Sequence, residues 1–136
     1  MSPRAEGSAA EWTLQPTPAA ASEARRKVQT LLAEWGISED VVDLVVLIVY
    51  ELLSNAVDHA GTVMTLQVSL SAGVITVGVT DSCDLPPLLQ PHDPLAARGR
   101  GLQMVDALAT RWSCVSPTDE PGKTVWAEIR CPAAFQ

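Results

Sequence analysis

The chain has 136 residues, of which 47% are hydrophobic, and its 16 acidic and nine basic residues give a formal net charge of −7. This length suffices for one ordinary core, and the acidic balance opposes nonspecific attraction to nucleic acid or to an anionic membrane surface. The most apolar run, residues 41–53, contains two acidic residues and is shorter than the ~20 residues of a membrane span. The composition therefore argues against nucleic-acid-binding and membrane-embedded proteins.

The pattern predicts one domain over residues 11–132, with a disordered lead of residues 1–10 and a short tail of residues 133–136. No basic region followed by an apolar signal core comes after Met1, so a cytoplasmic location is expected. The three cysteines are scattered and lack the spacing of a zinc site, which favours free thiols in a reducing compartment.

In chain order, residues 11–16 alternate polar with apolar and end at a proline, which predicts a short edge strand. A helix follows from Ala19 to Trp35, with apolar residues at helical spacing and Gly36 as its stop. Its basic triplet, residues 25–27, is interpreted as a solvated face, with docking of a partner as the alternative.

Ser38 is expected to cap a second helix, because two acidic residues follow it in the first turn, where the helix dipole favours negative charge. This helix reaches about Ala60, before Gly61 ends it. Strict alternation then predicts a half-buried strand over residues 62–70, and a second strand follows a tight turn and covers residues 75–81.

Residues 82–98 contain four prolines and no periodic pattern, which predicts a long loop. A glycine turn at residues 99–101 precedes a third helix, and glycines there let backbone amides approach a phosphate closely. Strands at residues 112–115 and 124–130 follow. This order predicts an α+β two-layer sandwich, whose mixed, mostly antiparallel sheet is covered on one face by about three helices.

Polar side chains in two places stand out as candidates for chemistry. The second helix carries a stripe of Glu51, Asn55 and Asp58, with His59 at its edge, because positions three and four apart share a helix face. Such oxygen ligands suit a hard cation and leave one carboxylate to polarise a hydroxyl; a solvated helix end is the alternative. Asp81 continues the buried phase of its strand, so its carboxylate requires donors. A simple turn cap at the end of the strand is the alternative interpretation.

These segments together resemble the GHKL ATPases, which have the Bergerat fold. The residues that carry the resemblance are Glu51, Leu52, Asn55, Ala56, His59 and Ala60 in the second helix, Asp81 after a strand, and Gly99, Arg100, Gly101 and Leu102 before the third helix. Within the superfamily, the small size and the segments at residues 101–112 and 122–129 resemble the stand-alone bacterial anti-sigma-factor serine/threonine kinases.

The resemblance implies that the chain binds ATP and Mg²⁺, with Glu51 as catalytic base, Asn55 as metal ligand and Asp81 as acceptor for adenine. The long loop becomes the nucleotide lid. The implied nucleotide site also includes Asp58, His59, Cys83, Arg98, Gly99, Arg100, Gly101, Leu102 and Thr124. The implied partners are a sigma factor and an anti-anti-sigma antagonist, and the implied assembly is a homodimer.

The chain departs from the family pattern at two positions near this site. Cys83 stands where the family usually has glycine, and Asp84 adds negative charge near the expected triphosphate. In the last strand Lys123 replaces the usual threonine after Gly122, which leaves Thr124 as the candidate contact. These departures weaken the case for tight binding of ATP. The alternative function is a noncatalytic nucleotide-gated binding module of the same fold.

A third hypothesis is a metallohydrolase that uses Glu51, Asp58 and His59, but the sequence has neither a further histidine pair nor a zinc-type motif. A sensor histidine kinase is excluded, because the chain lacks the dimerisation and phosphoacceptor helix of that class.

Overall fold

The computed structural model describes residues 7–59, 61–82, 101–116 and 122–132. Its elements are β1 (Ala9–Leu14), α1 (Pro18–Glu34), α2 (Glu39–His59), β2 (Met64–Ser71), β3 (Val74–Asp81), α3 (Gly101–Leu108), β4 (Arg111–Val115) and β5 (Lys123–Arg130). The five strands form one sheet in the order β1-β2-β3-β5-β4. The predicted α+β fold is confirmed, and the pairings among these strands are all antiparallel rather than mixed.

The core lies between the helices and one face of this sheet. Side chains alternate between the two faces of a strand, and the phase that faces the helices is buried. Its buried apolar members are Met64, Leu66, Val68 and Leu70 of β2, Ile75, Val77 and Val79 of β3, and Val125, Ala127 and Ile129 of β5. We call this the inner face of the sheet and the opposite face the outer face.

Helix α1 begins and ends at positions that its sequence specifies. The Thr17 hydroxyl accepts a hydrogen bond from the Ala20 amide at 3.1 Å, and Pro18 fills the first helical position, where a missing N–H removes no helical bond. At the other end Gly36 has a φ of 78°, a left-handed conformation, and its amide donates to the Ala33 carbonyl at 3.0 Å.

Helix α2 is the central helix, since it contacts α1, α3, β3 and β5. Gly61 follows it with a φ of 64° and donates to the Ala56 carbonyl at 3.1 Å, so the predicted stop at this glycine agrees with the structure. Among the described residues no helix, α2 included, has the length and apolar character needed to cross a membrane.

The first strand begins two residues earlier than predicted. Gly7 donates to the Leu70 carbonyl at 2.8 Å and the Leu70 amide donates to Ser8 at 2.9 Å, which extends the β1–β2 pairing toward the N-terminus. Residues 7–10, assigned from composition to a disordered lead, therefore pair with β2.

Candidate functional site

The polar stripe of α2 lies on the half-buried side of a helix whose other side is core. Glu51, Asn55 and Asp58 are all half-buried, whereas Leu52 and Leu53 are at most 2% exposed. Neighbouring members of this stripe are three or four residues apart, which is about one helical turn. The structure thus places two carboxylates and one amide along a single face at the C-terminal half of α2.

Burial alters the chemistry of the first of these side chains. Removal from water disfavours a charged carboxylate and raises the pKa of Glu51 above its ordinary value. A carboxylate with a raised pKa binds a proton more readily near neutral pH, which suits a general base. His59 is the last residue of α2, and its side chain lies outside what the structure describes.

Asp81 and Lys123 form a buried ion pair where β3 ends and β5 begins. The two residues are direct partners in the β3–β5 register, and the Lys123 Nζ donates to Oδ1 at 3.1 Å and to Oδ2 at 3.0 Å of Asp81. Lys123 is 2% exposed and Asp81 is 5% exposed. The predicted burial of Asp81 and its need for a donor are therefore confirmed, and the lysine of the neighbouring strand supplies that donor.

Gly122 allows the two strands to approach at this point. It is buried with a φ of 120°, and a Cβ at this position would lie 2.5 Å from the backbone oxygen of Asp81. Only glycine tolerates both the backbone conformation and the contact. The glycine thereby permits the close approach of the two strands next to the Lys123–Asp81 pair.

Thr124 lies on the outer face of the sheet and is not brought together with Asp81. Successive residues of a strand face opposite sides, so Lys123 points inward and Thr124 outward. The Thr124 hydroxyl is 2.7 Å from the Thr80 hydroxyl, and its side chain lines an outer-face groove with Gly78 and Trp126. The structure thus separates this predicted contact from the other candidate site residues.

The start of α3 lies in the helical layer, because α3 packs against α2 and β4. Gly101 is its first residue, Leu102 is half-buried against the core, and Val105 is fully buried. The Trp112 Nε1 donates to the Asp106 carboxylate at 2.8 Å and links the helix to β4. The remaining predicted residues of the lid and glycine turn, Cys83, Arg98, Gly99 and Arg100, lie outside the described residues.

The charges of the buried Lys123–Asp81 pair affect the pKa of the Cys114 thiol in β4. Cys114, next to Val125 on the inner face, has its thiol pKa raised by burial, and the Asp81 carboxylate raises it further. Lys123 and a hydrogen bond with Ser116 act in the opposite direction.

Within the described ranges no group of three or more His, Cys, Asp or Glu side chains is arranged to hold a metal ion, so the metallohydrolase hypothesis has no ligand cluster there.

Lys123 is the residue whose role the sequence reasoning missed. The signal was available, because counting back by two from Val125 places Lys123 in the buried phase of β5. A lysine in a buried phase requires a carboxylate partner, and Asp81 was already assigned to the same layer.

Known proteins resemble this chain in sequence and in fold. The family model described as "Histidine kinase-like ATPase domain" matches residues 14–129. An uncharacterized protein of Streptomyces coelicolor, SCO4941, is 38% identical over 96 residues, with 62% of this chain and 91% of that protein covered. A solved structure of the RsbU and RsbW domains of Rv1364c from Mycobacterium tuberculosis superposes with a TM-score of 0.70 at 21% identity. The match covers 91% of this chain but 32% of that one, and shows the shared fold.

Proposed function

Because the chain belongs to the histidine kinase-like ATPase domain family, we propose that it is an adenine-nucleotide-binding regulatory protein of the anti-sigma-factor kinase type. In this proposal it phosphorylates a serine or threonine of an anti-anti-sigma antagonist and binds a sigma factor. Support for the partner class comes from the sequence resemblance and from the likeness of fold to a protein with RsbU and RsbW domains.

The observation that carries the proposal is the pair of half-buried side chains Glu51 and Asn55, one helical turn apart on α2. Bound Mg-ATP supplies the phosphoryl group and a divalent cation that neutralises charge. Asn55 would hold the cation through its amide oxygen, a ligand type that Mg²⁺ accepts. Glu51, with its pKa raised by burial, accepts the proton of the partner hydroxyl.

The described residues fit a nucleotide differently at its two ends. At the metal end, oxygen donors project from one face of α2, as Mg²⁺ coordination requires. At the base end, Asp81 is in the position that the family resemblance assigns to adenine recognition, but both of its carboxylate oxygens accept from Lys123. A nucleotide therefore meets an acceptor that already has a donor.

Two substitutions test the proposed chemistry, because Asn55→Ala and Glu51→Ala should fail differently. Loss of the metal ligand should weaken Mg-ATP binding and phosphoryl transfer together. Loss of the general base should leave binding nearly unchanged and slow transfer by ~10² to 10⁴-fold. Calorimetry with Mg-ATP measures the first effect, and transfer of radiolabel from ATP to candidate antagonists measures the second. Asp43→Ala, an exposed acidic residue on the same helix, is the matched control and should change neither.

The second candidate function is the noncatalytic nucleotide-gated binding module, and the engaged state of Asp81 is the observation that favours it. The same measurements decide between the two functions. If the wild-type protein binds Mg-ATP and its affinity for a partner changes, yet no antagonist is labelled, the module replaces the kinase. If labelling occurs and Glu51→Ala abolishes it, the kinase stands.

A further inference from the structure

The Lys123–Asp81 pair places an ammonium group at the carboxylate that the proposed function assigns to the nucleotide base. Both side chains are almost fully buried, with 1% and 2% of their side-chain surface exposed. A buried ion pair has a desolvation cost that often equals its attraction, so an apolar pair of similar volume would stabilise the fold as well. Stability alone therefore does not account for a lysine at this position.

We propose that Lys123 is a specificity-determining residue, an internal occupant of the base-recognition carboxylate that removes Asp81 from contact with the 6-amino group of adenine. This inference rests on the proposed function and deepens it. Its consequence is that the wild-type site takes purine nucleoside triphosphates without discriminating at the 6-position of the base.

The competition between the two donors favours the lysine. The ammonium forms charge-assisted hydrogen bonds, which are about twice as strong as those of a neutral amine. It is also tethered to the same chain, so its effective concentration beside Asp81 exceeds that of a dissolved ligand. A displaced ammonium in this buried environment would lose its partner, which adds to the cost of exchange.

The backbone holds the lysine in this position. Lys123 is hydrogen-bonded into β5 directly opposite Asp81, and the close contact of Gly122 with the Asp81 carbonyl sets the approach of the two strands. A shift of one residue would turn Lys123 to the outer face and place Thr124 inward. The occupied state of Asp81 is therefore a property of the β3–β5 register.

The experiment compares two ligands, Mg-ATP and the Mg complex of purine riboside 5′-triphosphate, which lacks the 6-amino group. Calorimetry gives both dissociation constants for the wild-type protein, Lys123→Thr and Lys123→Arg. The matched control is Lys27→Thr, which removes the same charge from a lysine that is 47% exposed on α1. We expect the ratio of the two dissociation constants to be near one for the wild type, Lys123→Arg and the Lys27→Thr control. Lys123→Thr should prefer ATP by roughly tenfold or more, because Asp81 then accepts from the amine.

The outcomes separate this inference from the function on which it rests. A preference for ATP of roughly tenfold in the wild type, or a ratio near one in folded Lys123→Thr, would overturn the inference and leave nucleotide binding in place. No binding of either ligand by any folded variant would overturn the proposed function, and the inference with it.

Circular dichroism establishes which variants are folded. If Lys123→Thr fails to fold, the ratios for the wild type and Lys123→Arg decide the question by themselves. The wild type and Lys123→Arg both retain a cation at Asp81. Ratios of the two dissociation constants near one would therefore support the inference, and a clear preference for ATP would contradict it.

Discussion

A buried lysine is tolerated in this core because its charge enters together with that of Asp81, 3.0 Å away. Removal of one member of such a pair typically costs about 3 to 5 kcal/mol, since the other charge remains buried without its partner. Replacement of both by apolar residues is often neutral. The pair is therefore better understood as a constraint on what binds Asp81 than as a source of stability.

The half-buried Glu51 carboxylate should make the free energy of unfolding depend on pH. Its pKa is raised in the folded protein, so it favours folding below its unfolded pKa, about 4.3, and this contribution is lost as pH rises through the folded pKa. Glu51→Gln removes the titration. We expect the variant to have the larger free energy of unfolding at about pH 7 and the two proteins to converge near about pH 4.

Urea denaturation across this pH range measures the difference, and Asp43→Asn, exposed on the same helix, controls for the loss of a negative charge. A difference that stays constant with pH, or a wild type that is the more stable protein at neutral pH, would contradict the assignment of desolvation as the cause.

The helices and strands were largely predictable, because their signals are local. Periodicity gave α1 and α2, glycines marked both helix ends, and alternation gave the buried phases of β2 and β3, including that of Asp81. The start of β1 differs from the prediction, because residues 7–10 pair with β2 through backbone bonds that their small residues do not signal.

The candidate site was predictable on α2 and incomplete at the sheet. The α2 stripe depends on spacing within one helix, so sequence alone places it. The Asp81–Lys123 contact joins residues 42 positions apart and requires β5 to lie between β3 and β4, a neighbour relation that no local pattern encodes. Strand alternation puts Thr124 on the outer face, apart from this contact. Its assignment to the nucleotide site came from the family resemblance, which does not take the strand phase into account.

The close approach of β3 and β5 at Gly122 should make this position sensitive to an added Cβ. Gly122→Ala introduces a Cβ about 2.5 Å from the Asp81 oxygen, in addition to a strained φ of 120°. Gly73→Ala is the matched control, since Gly73 has a φ of 74° but an added Cβ there would meet nothing within 4 Å. We expect the control to lose about 1 to 2 kcal/mol of unfolding free energy, and Gly122→Ala to lose at least ~1 kcal/mol more.

Urea unfolding of the two alanine variants measures this difference. Equal losses would show that the strands separate without cost at this point, which would contradict a close approach of the two strands next to the Lys123–Asp81 pair.

The helices cover the inner face of the sheet, whereas the outer face carries polar side chains around Trp126. There the Arg111 guanidinium lies 5.4 Å from the centre of the Trp126 ring and pairs with Glu128 at 3.1 Å. Such an ion pair, which is partly exposed, contributes little to stability. The net charge of −7 acts over a longer range on the approach of any partner.

The homodimer that the family resemblance implies can be tested through this net charge. Two copies of a chain with a net charge of −7 repel one another, and the repulsion extends over ~30 Å at 0.01 M salt but only ~10 Å at 0.1 M. If the protein dimerises through contacts that are not between opposite charges, its dimer should therefore strengthen as salt is added. Light scattering at micromolar concentration, in about 0.01 M and about 0.1 M salt, gives the mass. A monomer in both buffers would remove the homodimer, and a dimer that dissociates on adding salt would show that ion pairs between the protomers outweigh the net repulsion.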